Sequence, residues 1–323
     1  MCIFCCNFAP EFCSNRVKRK LFILFYSLCV QVLCAQVTLV LPYDATGLTD
    51  EQKGMNPDRL AYPTELKETI KNEVSFACTT EIPDLGPFSV SETTKVMFSP
   101  GNLQYQASTK TWRFAENQWE VIGEDNQNIS DSYIGWIDLF AWGTGDNPTK
   151  SSTSSSNYST FIDWGVNAIS NGGNKANMWR TLTMDEWEYL FQTRAEAVNK
   201  YGAAKVNGIT GVILLPDNWI LPSGCGFTAG MTTAWDNWNL VASTNIYDAN
   251  QWSKMEKAGA VFLPAAGWRP LNDGGVDFVG LYGDYWSSTS GGSEGGGRLL
   301  FDSGEVRVNF GYYQGGHSVR LVR

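Results

Sequence analysis

In Arg180-Thr-Leu-Thr-Met-Asp-Glu-Trp-Glu-Tyr189, Thr183 and Glu186 stand at capping-box spacing. Each side chain can satisfy the other residue's free backbone N–H, so a helix starts after Thr183. Met184, Trp187, Leu190 and Phe191 then share one face, which predicts that Trp187 is buried. A second helix is predicted over Ala249 to Ala258, with Trp252, Met255 and Glu256 at helical spacing and Gly259 as terminator.

Around these helices the pattern is short strands. Phe88 to Phe98 reads as strand. Gln104-Tyr-Gln and Thr111-Trp-Arg-Phe read as a hairpin about the polar tip Ala107 to Lys110. Gly211-Val-Ile-Leu-Leu-Pro216 and Gly259-Ala-Val-Phe-Leu-Pro264 fit buried strands stopped by proline. Arg298 to Phe301 and Glu305 to Phe310, joined by Asp302-Ser-Gly304, and Ser318 to Arg323 complete the set. The run from Gly143 to Thr160, dominated by Ser, Thr, Asn and Gly, reads as a surface loop. The expected class is α+β, with two short helices, twisted antiparallel sheets and long irregular loops.

The basic quartet Arg16, Lys18, Arg19 and Lys20 precedes the apolar run Leu21 to Ala35, the layout of a secretory signal peptide cut before Gln36. Residues 1–16 read as an over-extended gene start, with Val17 an alternative initiation codon. Six of the eight cysteines fall within residues 1–35, leaving Cys78 and Cys225, which either pair or stay as separate thiols. Lipidation at Cys34 is disfavoured by Gln31, Val32 and Leu33 before it. Residues 36–85 form an N-terminal segment of unassigned role, with a helix expected near Thr64 to Glu73. Pro83-Asp-Leu-Gly-Pro87 reads as a linker, so the main domain is expected to span 86–323. The net charge of −9 becomes −12 once four basic residues and one acidic residue leave with the leader. No Lys/Arg cluster remains for a phosphate backbone, which argues against nucleic acid as a partner. The mature chain is expected to hold no transmembrane segment.

The Arg180–Tyr189 stretch resembles the signature that opens the first long helix of the formylglycine-generating-enzyme family. Tyr285-Trp-Ser-Ser288 and His317-Ser-Val-Arg-Leu-Val-Arg323 resemble FISUMP-type major paralogous domains of Bacteroides-type bacteria. The likeness runs from about residue 88 to the end and implies a C-type-lectin-like fold. The family's paired catalytic cysteines would lie in the C-terminal part, yet no cysteine follows Cys225. The multi-histidine iron site of the related sulfoxide synthases has no counterpart either, because the chain holds one histidine, His317.

Other chemistries find little support in the residues. Pro216-Asp-Asn-Trp219 and Trp235-Asp-Asn-Trp238 share composition but not order with calcium-dependent sugar-binding triplets, and read as turns with packed tryptophans. No cofactor is expected, and calcium alone is left open. Glu186 is explained as a cap and Glu188 by helix solubility, so they do not read as a glycosidase pair. Gly291-Gly-Ser-Glu-Gly-Gly-Gly297 lacks the Lys-Ser/Thr ending of a phosphate loop and reads as a flexible exposed loop. Trp112, Trp119, Trp136, Trp142, Trp164, Trp179 and Trp187 read as core and loop anchors rather than a sugar platform, while Trp and Tyr near the tail are able to stack on a sugar face.

The tail is the segment most informative about function. Framework-like Trp286, Leu299, Phe301, Val306, Val308, Phe310, Val319 and Leu321 alternate with Gly, Ser, Asn, Tyr, Gln and His. This layout resembles the variable region of lectin-fold proteins diversified by retroelements. The candidate ligand contacts are Ser290, Ser293, Glu294, Arg298, Asn309, Tyr312, Tyr313, Gln314 and His317. No catalytic residue is assigned. The leading expectation is a secreted or cell-surface protein, an adhesin-like binder of a glycan or protein ligand. The alternatives are a metal-dependent enzyme related to formylglycine-generating enzymes, or a structural subunit of a surface layer or fimbria.

Overall fold

The computed structural model describes residues 85–231, 244–270, 275–302 and 304–323. The leader, the Thr64–Glu73 helix, Cys78, the Trp235–Trp238 loop and Ser303 lie outside the described residues. The class is α+β, mostly small sheets with two short helices.

The first helix, α1, covers Met184–Glu188 and continues as a wider turn through Tyr189–Thr193. Thr183 Oγ1 accepts from the Glu186 amide at 3.2 Å, and the Glu186 carboxylate accepts from the Thr183 amide at 2.8 Å. Both halves of the capping box are present. The same carboxylate is gripped by both Nη atoms of Arg180 at 2.7 Å, which leaves it fully engaged. Trp187, Leu190 and Phe191 are buried, with the Trp187 ring 5.8 Å from Phe98 and 6.4 Å from Tyr285. Helix α2, Ala249–Lys257, is capped reciprocally by Asp248 and Gln251 and buries Trp252 and Met255. Gly259 ends it at φ +94, a left-handed conformation that favours glycine.

The predicted hairpin forms, with β3 (Leu103–Gln106) paired antiparallel to β4 (Thr111–Phe114). The two Leu-Pro runs become neighbours: β7 (Ile209–Leu214) pairs with β9 (Val261–Pro264) in a sheet of order β8-β6-β7-β9, with β6 at Tyr201–Val206 and β8 at Asn245–Tyr247.

Two expectations are corrected at the start of the domain. The linker assigned to Pro83–Pro87 is in part strand, because Leu85 begins β1 (Leu85–Ser89), and Leu85 and Phe88 are fully buried. Burial of these two side chains outweighs the turn-forming chemistry of Gly86 and Pro87. The single strand expected over Phe88–Phe98 is two, since Ser91 Oγ accepts from the Thr93 and Thr94 amides at 3.3 and 3.0 Å and turns the chain into β2, Lys95–Phe98.

The last strand, β13 (Leu321–Val322), lies between β2 and β5 (Arg180–Thr181), giving the order β1-β2-β13-β5. The first and last strands of the domain therefore share a sheet, and the other strands lie in two excursions from it, one between β2 and β5 and one between β5 and β13. Leu299, Phe301, Tyr285 and Trp187 join the core formed by this sheet. A second core gathers Trp112, Phe140, Trp142, Trp164, Trp179 and Trp286. Five tryptophans, Trp142, Trp164, Trp187, Trp252 and Trp286, are among the largest fully buried side chains, and the first three belong to the set expected as core and loop anchors.

Candidate functional site

The tail folds into a three-stranded antiparallel sheet of β10 (Gly283–Ser290), β11 (Gly296–Phe301) and β12 (Val306–Gly311). Its register decides what faces where. Tyr285 pairs with Leu299 and Leu299 with Val308, and these side chains point into the core. The alternate rows, Trp286–Arg298–Asn309 and Asp284–Leu300–Arg307, lie on the opposite face because side chains alternate along a strand.

Arg298 organises that face. Its Nη1 is 2.8 Å from Asp284 Oδ1, its Nε donates to Asn309 Oδ1 at 3.0 Å, and its arm lies over Gly311. A methyl group on Gly311 would come within 2.9 Å of Arg298 Cδ, so the glycine lets the arm lie where it does. Asp284 is almost wholly buried, and burial pushes its pKa up to about 6 against the opposing pull of Arg298 and Arg307. Arg307 extends the row, pairing with Asp302 at 3.2 Å and with Glu305.

The nine candidate contacts divide. Tyr312 is 70% exposed, and Ser290 and Ser293 are exposed beside it in the tail. Arg298 and Asn309 are half-buried, with the guanidinium and amide fixed by each other. The Glu294 side chain lies outside the described residues.

Three expectations of exposure are corrected. Tyr313 is buried: its ring packs 4.7 Å from Trp142, and its hydroxyl meets Ser290 Oγ at 2.7 Å and donates to the Gly292 carbonyl at 3.0 Å. Gln314 is buried and donates to the Thr153 carbonyl at 3.0 Å, tying the tail to the polar loop. His317 is 1% exposed, stacked on Trp268 and set edge-on to Trp286 with ring centroids 4.3 Å apart. Burial first, then Arg298 and Arg269, hold its pKa well below the usual histidine value, so the ring is neutral at neutral pH. Aromatic packing accounts for Tyr313 and His317 and the bond to Thr153 for Gln314, and the polar character of the three residues conceals this in the sequence.

The second half of the glycine run is likewise corrected from an exposed loop, whereas Gly292 and Ser293 are exposed. Gly296 and Gly297 begin β11, and Gly295 to Gly297 are buried. A methyl at Gly296 would come within 2.4 Å of the Trp142 ring, and one at Gly295, where φ is +112, within 2.1 Å of the Gly311 carbonyl oxygen. These glycines therefore have a packing reason of their own.

No protein-family model, curated protein or solved structure matches the chain. What the face can do is read from its own groups.

Arg298 Nη2 makes no hydrogen bond among the described residues, and Asn309 and Tyr312 add an amide and an aromatic ring at the surface. That set suits hydrogen bonding plus stacking. Asp217, in the first of the two calcium-like strings, is turned inward. It accepts from the Ser89 amide and hydroxyl at 3.1 and 2.7 Å and pairs with Lys95 at 3.0 Å and Arg194 at 3.5 Å. Burial raises its pKa, and these bonds more than offset that, leaving it below the ordinary value. Among the described residues, no three His, Cys, Asp or Glu side chains converge as a metal-ligand group, and no helix is long and apolar enough to cross a membrane.

Asp284, Asp302 and Arg307 were missed in the sequence as part of this face. The signal was an aspartate between Gly283 and Tyr285 in an otherwise uncharged strand. A buried carboxylate there requires a cation opposite, and the ladder supplies Arg298.

Proposed function

We propose that the chain is an exported ligand-binding protein of the cell surface, built on a C-type-lectin-like scaffold, with its recognition face on the outer side of β10–β12. The meeting of the first and last domain strands in one sheet supports the scaffold, because the long polar excursions then hang from a closed base. Exposed Tyr312, one residue past β12 and three residues after Asn309 in the chain, carries the functional reading. A rigid, exposed aromatic ring gives contact area at little entropic cost, and polar groups already held in place lose little more.

The ligand proposed is a glycan, since an aromatic face with a guanidinium and an amide matches a sugar's apolar face and hydroxyls. A glycan array probed with the purified chain, followed by titration of the best hit against Tyr312→Ala and Asn309→Ala, tests this. Binding that both variants weaken while Tm holds supports the reading. A hit that neither variant weakens, or no hit at all, overturns it.

A further inference from the structure

Strand edges in this domain are nearly all closed by side chains or neighbouring backbone. Gln118 covers β9, its Oε1 accepting from the Phe262 amide at 2.7 Å and its Nε2 donating to the Ala260 carbonyl at 3.2 Å. Asn171 does the same for β4, bonding the Phe114 amide and carbonyl at 2.7 and 2.9 Å. Asp217 and Asp163 accept from the Ser89 amide of β1 and the Thr181 amide of β5 at 3.1 and 3.0 Å. Ile137 and Val319 bond to β3, and Ser318 bonds to β10. Apart from the three-residue β8, the exception is β12, which pairs with β11 alone.

The phase of the ladder fixes which groups of β12 are left open. The Asp302 amide donates to the Glu305 carbonyl at 3.2 Å, and across the sheet the Trp286 amide and Asp284 carbonyl bond to Ser318, away from β11. Alternate opposed pairs of an antiparallel ladder exchange both bonds, so Arg307, Asn309 and Gly311 direct theirs to β11. The N–H and carbonyl groups of Val306, Val308 and Phe310 point outward, with no partner among the described residues. Val306 and Val308 are half-buried against the core, and Arg307 and Asn309 are half-buried on the opposite face. An edge open in this way is a template for another strand.

The strand that fits it is its own copy. Two β12 strands run antiparallel about a two-fold axis at Val308 oppose Val308 to Val308, Val306 to Phe310 and Arg307 to Asn309. Every outward N–H and carbonyl then finds a partner, apolar side chains meet on one face, and each arginine meets an amide on the other. An axis at Arg307 would set two arginines directly opposite each other, and an axis at Asn309 would run the pairing past Gly311, where the strand ends. We propose that the chain forms a two-fold dimer by pairing β12 with the β12 of a second copy, in the register centred on Val308. The symmetry makes one continuous sheet, with the Arg298–Asn309 rows of both copies on the same side. This interface does not depend on the reading of Tyr312, because it is measured without ligand.

Sedimentation equilibrium of the purified chain should show reversible dimer formation below about 1 mM. Amide exchange at Val306, Val308 and Phe310 should slow about tenfold from mostly monomer to mostly dimer, while Arg307 and Asn309, already bonded to β11, exchange slowly at every concentration. Val308→Lys sets two charges against each other at the axis and should weaken the dimer about tenfold or more. Exchange in the wild type decides the matter should that variant fold poorly. A chain that stays monomeric at about 1 mM, a dimer that leaves those amides unprotected, or a Val308→Lys dimer as tight as wild type overturns the proposal.

Discussion

Arg298 reaches across the β10–β11 ladder to Asp284, with Nη1 2.8 Å from Oδ1, and a half-buried cation is thereby fixed by a buried carboxylate. The pair is the mechanical support of the outer face. Removing the cation leaves a buried carboxylate alone. Arg298→Met should therefore cost about 3–5 kcal/mol in denaturant unfolding. Arg298→Lys, which keeps the charge but loses the fork to Asn309, should cost less. Equal losses would mean that the charge is immaterial and that the arm's packing over Gly311 is what counts.

Asp138 and Asp284 give a pH dependence with a definite sign. Burial raises both carboxyls to about 6 from 3.8, in Asp138 against hydrogen bonds from Asn126 and the Ile122 amide. Between those values the folded chain holds protons that the unfolded chain has released. Their contribution to stability is complete below about pH 3.8 and is lost as pH rises through about 6. Asp217 has a lowered pKa and works in the opposite direction, so the contrast between wild type and variant is the quantity to measure. Asp138→Asn should lose less stability than wild type between pH 4.5 and 7. A variant with the wild-type slope would show that Asp138 titrates normally.

Around the first helix, Thr183→Ala should cost about 1 kcal/mol, the usual value for a cap. Trp187→Ala should cost roughly 3–5 kcal/mol, because the ring is fully buried between Phe98 and Tyr285. Urea melts of the two variants give the comparison. A milder tryptophan variant would contradict the packing described.

Much of this was legible beforehand because local chemistry determined it. The capping boxes, the Gly259 stop and the Gln104–Phe114 hairpin depend on neighbours a few residues away. The tail was harder to read. Tyr313, Gln314 and His317 look like exposed contacts by residue type, and only the approach of Trp142, Thr153, Trp268 and Trp286 from distant parts of the chain buries them. Likewise Gly296 looks like loop until Trp142 is seen against it. Side chains brought in by non-local topology leave no periodic mark in the sequence.

Tyr313 and Gly296 make that lesson measurable. Tyr313→Ala removes a ring packed on Trp142 and two hydroxyl contacts, and should lower stability by about 3 kcal/mol. Gly296→Ala drives a methyl into the same tryptophan and should cost about 1–3 kcal/mol. Differential scanning calorimetry would register both as lower Tm. An unchanged Tm for Tyr313→Ala would return that residue to the exposed contacts.

The central claim is that recognition rests on Tyr312 while Tyr313 belongs to the fold, two adjacent tyrosines with 70% and 6% exposure. The most direct test is isothermal titration of the best array glycan into wild type, Tyr312→Ala and Tyr313→Phe, with Tm recorded for each. Tyr312→Ala should weaken binding by about 2 kcal/mol, close to 30-fold in Kd, with Tm unchanged. Tyr313→Phe should lower Tm through loss of its bonds to Ser290 and Gly292 and leave Kd within about threefold. Normal binding by Tyr312→Ala would contradict the account.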